Sequence, residues 1–143
     1  MTAFSTAQQR QLEQATMVLV TDQMSCERLI RQGRALADRT GTRLEVINVA
    51  AAGVERNHQA LEYLYQVSKD NRAIMTVHYS EDAPRFITKL VRGEMPAYVV
   101  TGLPQQGGSL LHKLWTRFEM ISFYTVDLDG RLDAVTLKDR VTA

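Results

Sequence analysis

The most informative stretch of this chain is AYVVTGLPQQGGS, residues 97–109. A short apolar run of the β-strand type stops at a glycine-containing loop, and the loop leads directly into residues with helical periodicity. The first N–H groups of a helix have no partner within the helix and carry partial positive charge, so a strand, a glycine loop and a helix in this order can bind an anion. The loop lacks the lysine of the GxxxxGKS/T phosphate loop and does not read GxGxxG. The pattern predicts a strand-to-helix turn and leaves phosphate binding open.

Three further apolar runs extend this pattern towards the amino terminus. They are MVLVT at 17–21, LEVINV at 44–49 and AIMTVHY at 73–79. Runs without strict alternation are typical of strands that are covered on both faces. Segments with helical spacing of apolar residues lie between them, joined by short loops. The sequence therefore predicts an α/β fold with a single doubly wound, mostly parallel five-stranded sheet of the Rossmann-like type.

Capping residues mark the ends of the predicted helices. Polar side chains that accept hydrogen bonds are favoured at helix starts, and glycine is favoured just after helix ends. Gly41 is the predicted end of the first helix. The predicted N-caps of the four helices are Ser25, Asn57, Asp82 and Ser109.

The carboxyl-terminal segment predicts a β-hairpin extension. ISFYTVDL at 121–128 and RLDAVTL at 131–137 flank Asp129-Gly130, a dipeptide that suits the two positive-φ positions of a type I′ turn. The fifth strand would be an exposed edge, and such an edge can pair with its copy in another chain. We expect a homodimer through the last strand and its hairpin. The alternative is a monomer in which the hairpin covers this edge.

The composition limits the classes of protein to which this chain can belong. The chain has 143 residues, a net charge of +1 and 45% hydrophobic residues, an ordinary globular profile that predicts no nucleic-acid partner. No run of about 18 apolar residues is present, so no membrane span is expected. A lone cysteine and an amino terminus unlike a secretory signal predict a cytoplasmic protein. We expect a flexible or loosely docked arm at 1–15, one domain at 16–137 and a tail at 138–143.

No residue pattern predicts catalysis. The three histidines lie on different predicted elements without the spacing of a metal site, so we expect no metal. No serine or cysteine has an evident base partner for nucleophilic catalysis. We therefore assign no catalytic residue. A small hydrolase or transferase that uses Asp22 and Asp82 is a further alternative, and weak ATP hydrolysis is the activity that merits a test.

Topology predicts where a ligand would bind. In a doubly wound sheet the ligand lies outside the carboxyl ends of the strands, at the point where the strand order reverses. If the first and fourth strands are neighbours there, Asp22 and the loop at 102–109 face one crevice. Val49 and Ala50, at the end of the second strand, would form its side wall.

The order of these elements resembles the universal stress protein family. The residues that carry the resemblance are an aspartate after the first strand, the patterns SCERLIRQGRALADRTGTRLEVINV and LEYLYQVSKDNRAIMTVHYSED, and a fourth strand that ends in TG with GS downstream. The resemblance covers roughly residues 17–127. It implies an adenine-nucleotide alpha hydrolase-like fold, a role in stress response or signalling, dimerisation through the last strand, and ATP or another adenine nucleotide as the ligand.

Family members that bind ATP carry G-x-x-G, nine residues, then glycine and Ser or Thr after the fourth strand. Asp22 matches the family's aspartate, and Gly102 matches the first glycine. The resemblance implies that Val49 contacts the base through its backbone and that Asp22 contacts the ribose side. The residues that would offer amides and a hydroxyl to phosphate are Gly102, Gly107, Gly108 and Ser109.

The glycine loop departs from the family pattern in length and in one residue. Gln105 stands where the second glycine belongs, and the loop is seven residues shorter than in the ATP-binding members. A shorter loop has fewer amides for a triphosphate, and Pro104 removes one more donor. The alternative function is a nucleotide-free protein-interaction or dimerisation module with the same fold, which would associate with a protein partner.

Overall fold

The computed structural model describes residues 14–51, 53, 55–104 and 110–141. The strands are β1 (Ala15–Val20), β2 (Arg43–Ala51), β3 (Ile74–Ser80), β4 (Tyr98–Gly102), β5 (Ser122–Val126) and β6 (Leu132–Ala134). The helices are α1 (Glu27–Thr40), α2 (His58–Asp70), α3 (Ala83–Glu94), α4 (Leu110–Arg117) and α5 (Leu137–Val141). A 3-10 turn (Met24–Cys26) precedes α1.

The strands form one mixed sheet in the order β3-β2-β1-β4-β5-β6. Strands β1 to β5 are parallel to their neighbours, and β6 is antiparallel to β5. The predicted α/β class is confirmed, and the second arm of the hairpin adds a sixth strand to the five that the sequence indicates. The predicted neighbourhood of the first and fourth strands is confirmed as well, since Thr16 pairs with Tyr98 and Val18 with Val100. This arrangement is compatible with a Rossmann-like fold.

Helices cover both faces of the sheet. Apolar residues of α1 and α2 pack on one face in a cluster that includes Val18, and residues of α3 and α4 pack on the other face with Met17. Met17 and Val18 are adjacent in β1 and both fully buried. Because successive side chains of a strand point to opposite faces, a strand covered on both sides is apolar at most positions and does not alternate between apolar and polar residues. This explains the uninterrupted apolar runs.

Most predicted helix ends are confirmed. Asn57 caps α2 by accepting a hydrogen bond from the Ala60 N–H at 3.1 Å, and Asp82 caps α3. Gly41 ends α1 with φ +67°, a conformation that costs glycine little because it has no Cβ. The prediction for Ser25 is wrong: Ser25 lies within the 3-10 turn, and no side-chain hydrogen bond caps α1. The prediction for Ser109 falls outside the described residues.

The hairpin turn differs from the predicted type I′ turn. Only Gly130 has a positive φ, of +86°, whereas Asp129 does not. The Gly130 N–H donates to the Asp127 carbonyl at 3.0 Å, and the Asp127 carboxylate accepts from the N–H groups of Asp129 and Arg131. A three-residue loop with one glycine in the left-handed region accounts for this pattern. The Asp127 side chain organises the longer turn by satisfying two backbone donors.

The expectation that the last parallel strand lies at an exposed edge is wrong. Strand β6 pairs with it from Tyr124 to Val126, and the Val135 N–H donates to the Phe123 carbonyl at 2.8 Å. The hairpin arm therefore covers β5 within the same chain. Among the described residues, the two edges of the sheet are β3 and the short β6.

Residues 138–141 of the expected tail belong to α5, which docks on the body of the domain. The Arg140 guanidinium donates to the carbonyls of Trp115 at 2.9 Å, Phe118 at 3.2 Å and Ile121 at 2.7 Å. The carbonyls of Trp115 and Phe118 lie at the carboxyl end of α4, where a cation is favourable because the last carbonyls of a helix lack helical partners, and Ile121 directly precedes β5. Arg140 thus satisfies the end of α4 and fixes the position of α5.

Candidate functional site

A cleft of about 570 Å³ opens where the turns after β1 and β4 meet. Its walls are mostly aliphatic and include Leu19 of β1, Ile47 of β2 and Ile87 of α3. Parallel strands place their carboxyl ends at one edge of the sheet, and the strand order reverses between β1 and β4 at this point. The cleft therefore lies where topology predicts a ligand.

Of the three predicted binding residues that the structure describes, two line this cleft. Val49 forms part of the wall at the end of β2, and Gly102 ends β4 beside Leu103 and Pro104. Ala50, the other predicted wall residue, is buried and is not among the lining residues. Three predicted phosphate contacts, Gly107, Gly108 and Ser109, lie outside the described residues. Their contribution to the site stays a prediction.

Asp22 does not line the cleft, although its neighbours Thr21 and Gln23 do. Its carboxylate accepts hydrogen bonds from Arg56 Nε at 2.7 Å and from Arg56 Nη2 at 3.0 Å. Asn48 Nδ2 donates to the same carboxylate at 2.8 Å, and the Asn57 N–H donates at 3.2 Å. Asp22 therefore joins the turn after β1 to the start of α2. The contact with a ribose stays a prediction.

Arg56 and Asn48, which both bind the Asp22 carboxylate, also contact each other: Arg56 donates a hydrogen bond to the Asn48 side-chain oxygen. Asn48 is fully buried in β2, so an amide at this position needs partners on both its oxygen and its nitrogen. Arg56 and Asp22 supply them. The ion pair itself is largely buried, with 14% and 20% of the two side chains exposed.

Opposing effects act on the pKa of Asp22. Burial alone raises the pKa of the carboxyl, because it disfavours the charged form. Hydrogen bonds from Arg56, Asn48 and the Asn57 N–H, together with the positive charge of Arg56, outweigh burial and hold the pKa below its ordinary value. Asp22 is therefore ionised at pH 7, and Arg56 balances its charge. This makes Asp22 a poor candidate for proton transfer.

Arg28 supplies the positive charge of the cleft. Its Nε donates to the Asp127 carbonyl at 2.8 Å, and its Nη1 donates to the Ser25 carbonyl at 2.6 Å. A Cβ built on Gly102 would lie 3.7 Å from Arg28 Nη2, so this nitrogen faces the end of β4. Among the described residues, no carboxylate lies within ion-pairing distance of Arg28. The guanidinium is held in place, and no carboxylate of the described residues compensates its charge.

The charge pattern of the described cleft residues suits binding of an anion. Arg28 is the one charged side chain among the described residues that line the cleft. Asp82, the second carboxylate of the hydrolase alternative, caps α3 and lines another cleft. Asp22 and Asp82 thus share no cavity among the described residues, and no described His, Cys, Asp or Glu side chains cluster in a group that could hold a metal ion.

Sequence reasoning missed Arg28 and Arg56. A cation in the first turn of a helix is unfavourable because the helix dipole is positive there. The position of Arg28, second in α1, could therefore have indicated that this arginine has a functional role. Arg56 lies in the loop between β2 and α2, where a lone arginine has no distinguishing pattern. Its role depends on a contact with Asp22 across 34 residues of sequence.

Comparison of the sequence with models of protein families and with curated proteins finds no match. The resemblance to universal stress proteins therefore stays a proposal that rests on element order and on a few residues. None of the described helices combines the length and apolar character that a bilayer crossing demands.

Proposed function

We propose that this protein is a cytoplasmic regulatory domain, similar to universal stress proteins, that binds an adenine nucleotide such as ATP in the cleft between the turns after β1 and β4. The observation that supports the proposal is the position of the cleft at the reversal of strand order, with Val49 and Gly102 on its walls. Concave and largely apolar sites with a few polar groups are typical of small-molecule binding. We infer that the ligand regulates association in stress response or signalling and is not turned over.

The proposed pose follows the chemistry of the walls. The adenine ring packs on the aliphatic side chains beside Val49 and contacts the backbone of that residue. A phosphate group contacts Arg28 Nη2, which the missing side chain of Gly102 leaves accessible. Because two other guanidinium nitrogens are already bound to carbonyls, the arginine needs little reorganisation to accept the anion. Gly107, Gly108 and Ser109 keep their proposed role as further phosphate donors.

Thermal unfolding in the presence of nucleotide tests the proposal. A ligand of the folded state at about 100 times its Kd adds about 2.7 kcal/mol of stability. For a domain of this size we expect the Tm to rise by about 5–10 °C with saturating ATP or AMP and magnesium. No rise at millimolar nucleotide would refute nucleotide binding.

A matched pair of variants locates the anion contact. Arg28→Gln removes the positive charge of the cleft. We expect it to weaken nucleotide binding about tenfold, which is the loss of affinity expected when one charge-assisted hydrogen bond is removed. Arg39→Gln makes the same charge change at the exposed far end of α1 and should leave affinity within about twofold of the parent. Equal affinities of both variants would remove Arg28 from the site.

A second candidate function is a nucleotide-free interaction module that forms a homodimer through the hairpin. Large apolar side chains are exposed on the hairpin turn and on α5: Leu128 is 82%, Leu137 78% and Val141 76% accessible. Exposed apolar side chains close to a short sheet edge favour association with another chain.

Sedimentation of two variants tests this candidate. Leu137→Glu is expected to shift a dimer towards monomer, because it places a charge in the proposed interface. Ile74→Glu makes the same kind of change on β3, at the opposite edge of the sheet, where Ile74 is also exposed. Loss of the dimer in the Ile74→Glu variant alone, or a monomeric parent at micromolar concentration, would refute dimerisation through the hairpin.

A further inference from the structure

A second cleft, of about 610 Å³, lies between α3 and α4 and is strongly basic. Two cations of α3, Arg85 and Lys89, and two cations of α4, Lys113 and Arg117, line it. Asp82 is the one carboxylate among its described lining residues. None of Asp22, Val49 and Gly102 lines this cleft, although Leu110, at the start of α4, lines both this cleft and the proposed nucleotide site.

The four cations have no carboxylate partners among the described residues. No ion pair involves any of them within the part of the chain that the structure describes. The Asp82 carboxylate accepts a hydrogen bond from the Arg85 backbone N–H at 3.2 Å and is committed to capping α3. Two lining threonines donate their hydroxyl protons to their own helices, Thr88 to the Pro84 carbonyl and Thr116 to the His112 carbonyl. The cations are therefore the available donors.

The spacing of these cations is unfavourable in the absence of an anion. Arg85 and Lys89 are four residues apart on α3, and Lys113 and Arg117 are four residues apart on α4. Like charges at this spacing lie on one helix face and repel each other. On α1 the same spacing joins opposite charges, as in the Arg31–Glu27 ion pair at 2.8 Å. The cations of the basic cleft thus repel one another, and a bound anion would reduce this repulsion.

We propose that this basic cleft binds a compact anion with two or more linked phosphate groups, of the pyrophosphate or tripolyphosphate type. Four cations from two helices converge on one concavity, which matches several phosphate charges held close together. An extended nucleic acid would need a basic stripe along the surface, whereas the whole chain has a net charge of only +1. The cleft therefore favours a small polyphosphate over a polymer.

Isothermal titration of the full chain with sodium tripolyphosphate at low salt tests the proposal. We expect saturable binding, with the basic cleft as the tighter site for tripolyphosphate. The double variants Arg85→Gln with Lys89→Gln and Lys113→Gln with Arg117→Gln should each weaken binding at least tenfold, because each removes two charge-assisted contacts. A control double variant, Arg39→Gln with Lys69→Gln, makes the same charge change on α1 and α2 across the sheet and should change affinity less than twofold.

The stability of the ligand-free variants separates loss of a site from loss of folding. Removing like-charge repulsion should leave the Tm of each cleft variant equal to or above that of the parent at low salt. The affinity of the parent should fall with added sodium chloride, and the slope should be smaller in the cleft variants.

Three results would overturn the proposal. They are absence of tripolyphosphate and pyrophosphate binding at millimolar concentration, equal weakening in the control double variant, and binding of a single-stranded oligonucleotide that tripolyphosphate cannot displace. The last result would assign the cleft to a polymer.

Discussion

The ion pair between Asp22 and Arg56 allows a quantitative prediction. Asp22→Ala removes four hydrogen bonds to a carboxylate and leaves a largely buried guanidinium without its counter-charge. Breaking a buried pair by removing one partner costs about 3–5 kcal/mol, and the 14% and 20% exposure of these side chains places the cost near the lower limit. We expect Asp22→Ala to lower the free energy of unfolding by about 3 kcal/mol.

A double-mutant cycle measures the pair itself. Urea unfolding at pH 7 of the parent, Asp22→Ala, Arg56→Ala and the double variant should give a coupling energy of about 2 kcal/mol, because the two guanidinium bonds are charge-assisted and partly shielded from water. The exposed pair Arg131–Asp133 is the matched control, with 76% and 53% of its side chains accessible. Its cycle should give less than about 1 kcal/mol.

The pH dependence follows from the depressed pKa of Asp22. A carboxyl whose folded pKa lies below its unfolded value stabilises the fold fully above the unfolded pKa, and this contribution disappears as the pH falls through the folded pKa. The difference between the parent and Asp22→Ala should therefore be complete at pH 7 and shrink below about pH 4. A coupling energy near zero at pH 7, or a difference that grows on acidification, would refute this account of the site.

Three further predictions concern the rest of the domain, and urea unfolding measures each of them. Burial and a neighbouring carboxylate raise the pKa of Glu94 to about 7, so the fold loses stability as the pH rises towards 7. Glu94→Gln should be more stable than the parent at pH 8 and equal to it at pH 4; the gain should be no more than about 1 kcal/mol, because Glu94 is only partly buried and solvent screens its charge. Gly33→Ala should cost about 1–2 kcal/mol because its Cβ would overlap Val18 Cγ2, whereas Gly93→Ala, with no atom nearby, should add about 0.5–1 kcal/mol. Asn57→Ala should cost about 1 kcal/mol through loss of the cap on α2.

The features that the sequence predicted correctly depend on local rules or on a general rule of topology. Asn57 and Asp82 cap helices because a short polar side chain reaches the backbone three residues away. The adjacency of β1 and β4 follows from the strand order of doubly wound sheets, which reverses direction at the first strand. These rules located the cleft and placed Val49 and Gly102 in it.

The features that the sequence did not predict depend on contacts between distant residues. The dipeptide Asp129-Gly130 suggested a two-residue turn, but the Asp127 carboxylate satisfies two backbone donors and stabilises a longer one. Asp22 was assigned to a ligand from its position after β1, whereas its carboxylate is occupied by Arg56. No local pattern distinguishes a carboxylate that awaits a ligand from one that already has an internal partner.

Arg28 makes the hairpin part of the candidate binding site. The resemblance to universal stress proteins ends near residue 127, and the hairpin turn begins there. The carbonyl of Asp127, in that turn, accepts from Arg28 Nε, while the carbonyl of Ser25 holds Nη1. A guanidinium fixed at two nitrogens has lost most of its rotamer freedom before a ligand arrives, so less entropy is lost on binding. The fold therefore uses its carboxyl-terminal hairpin both to cover β5 and to orient Arg28, the cation that faces the cleft among the described residues.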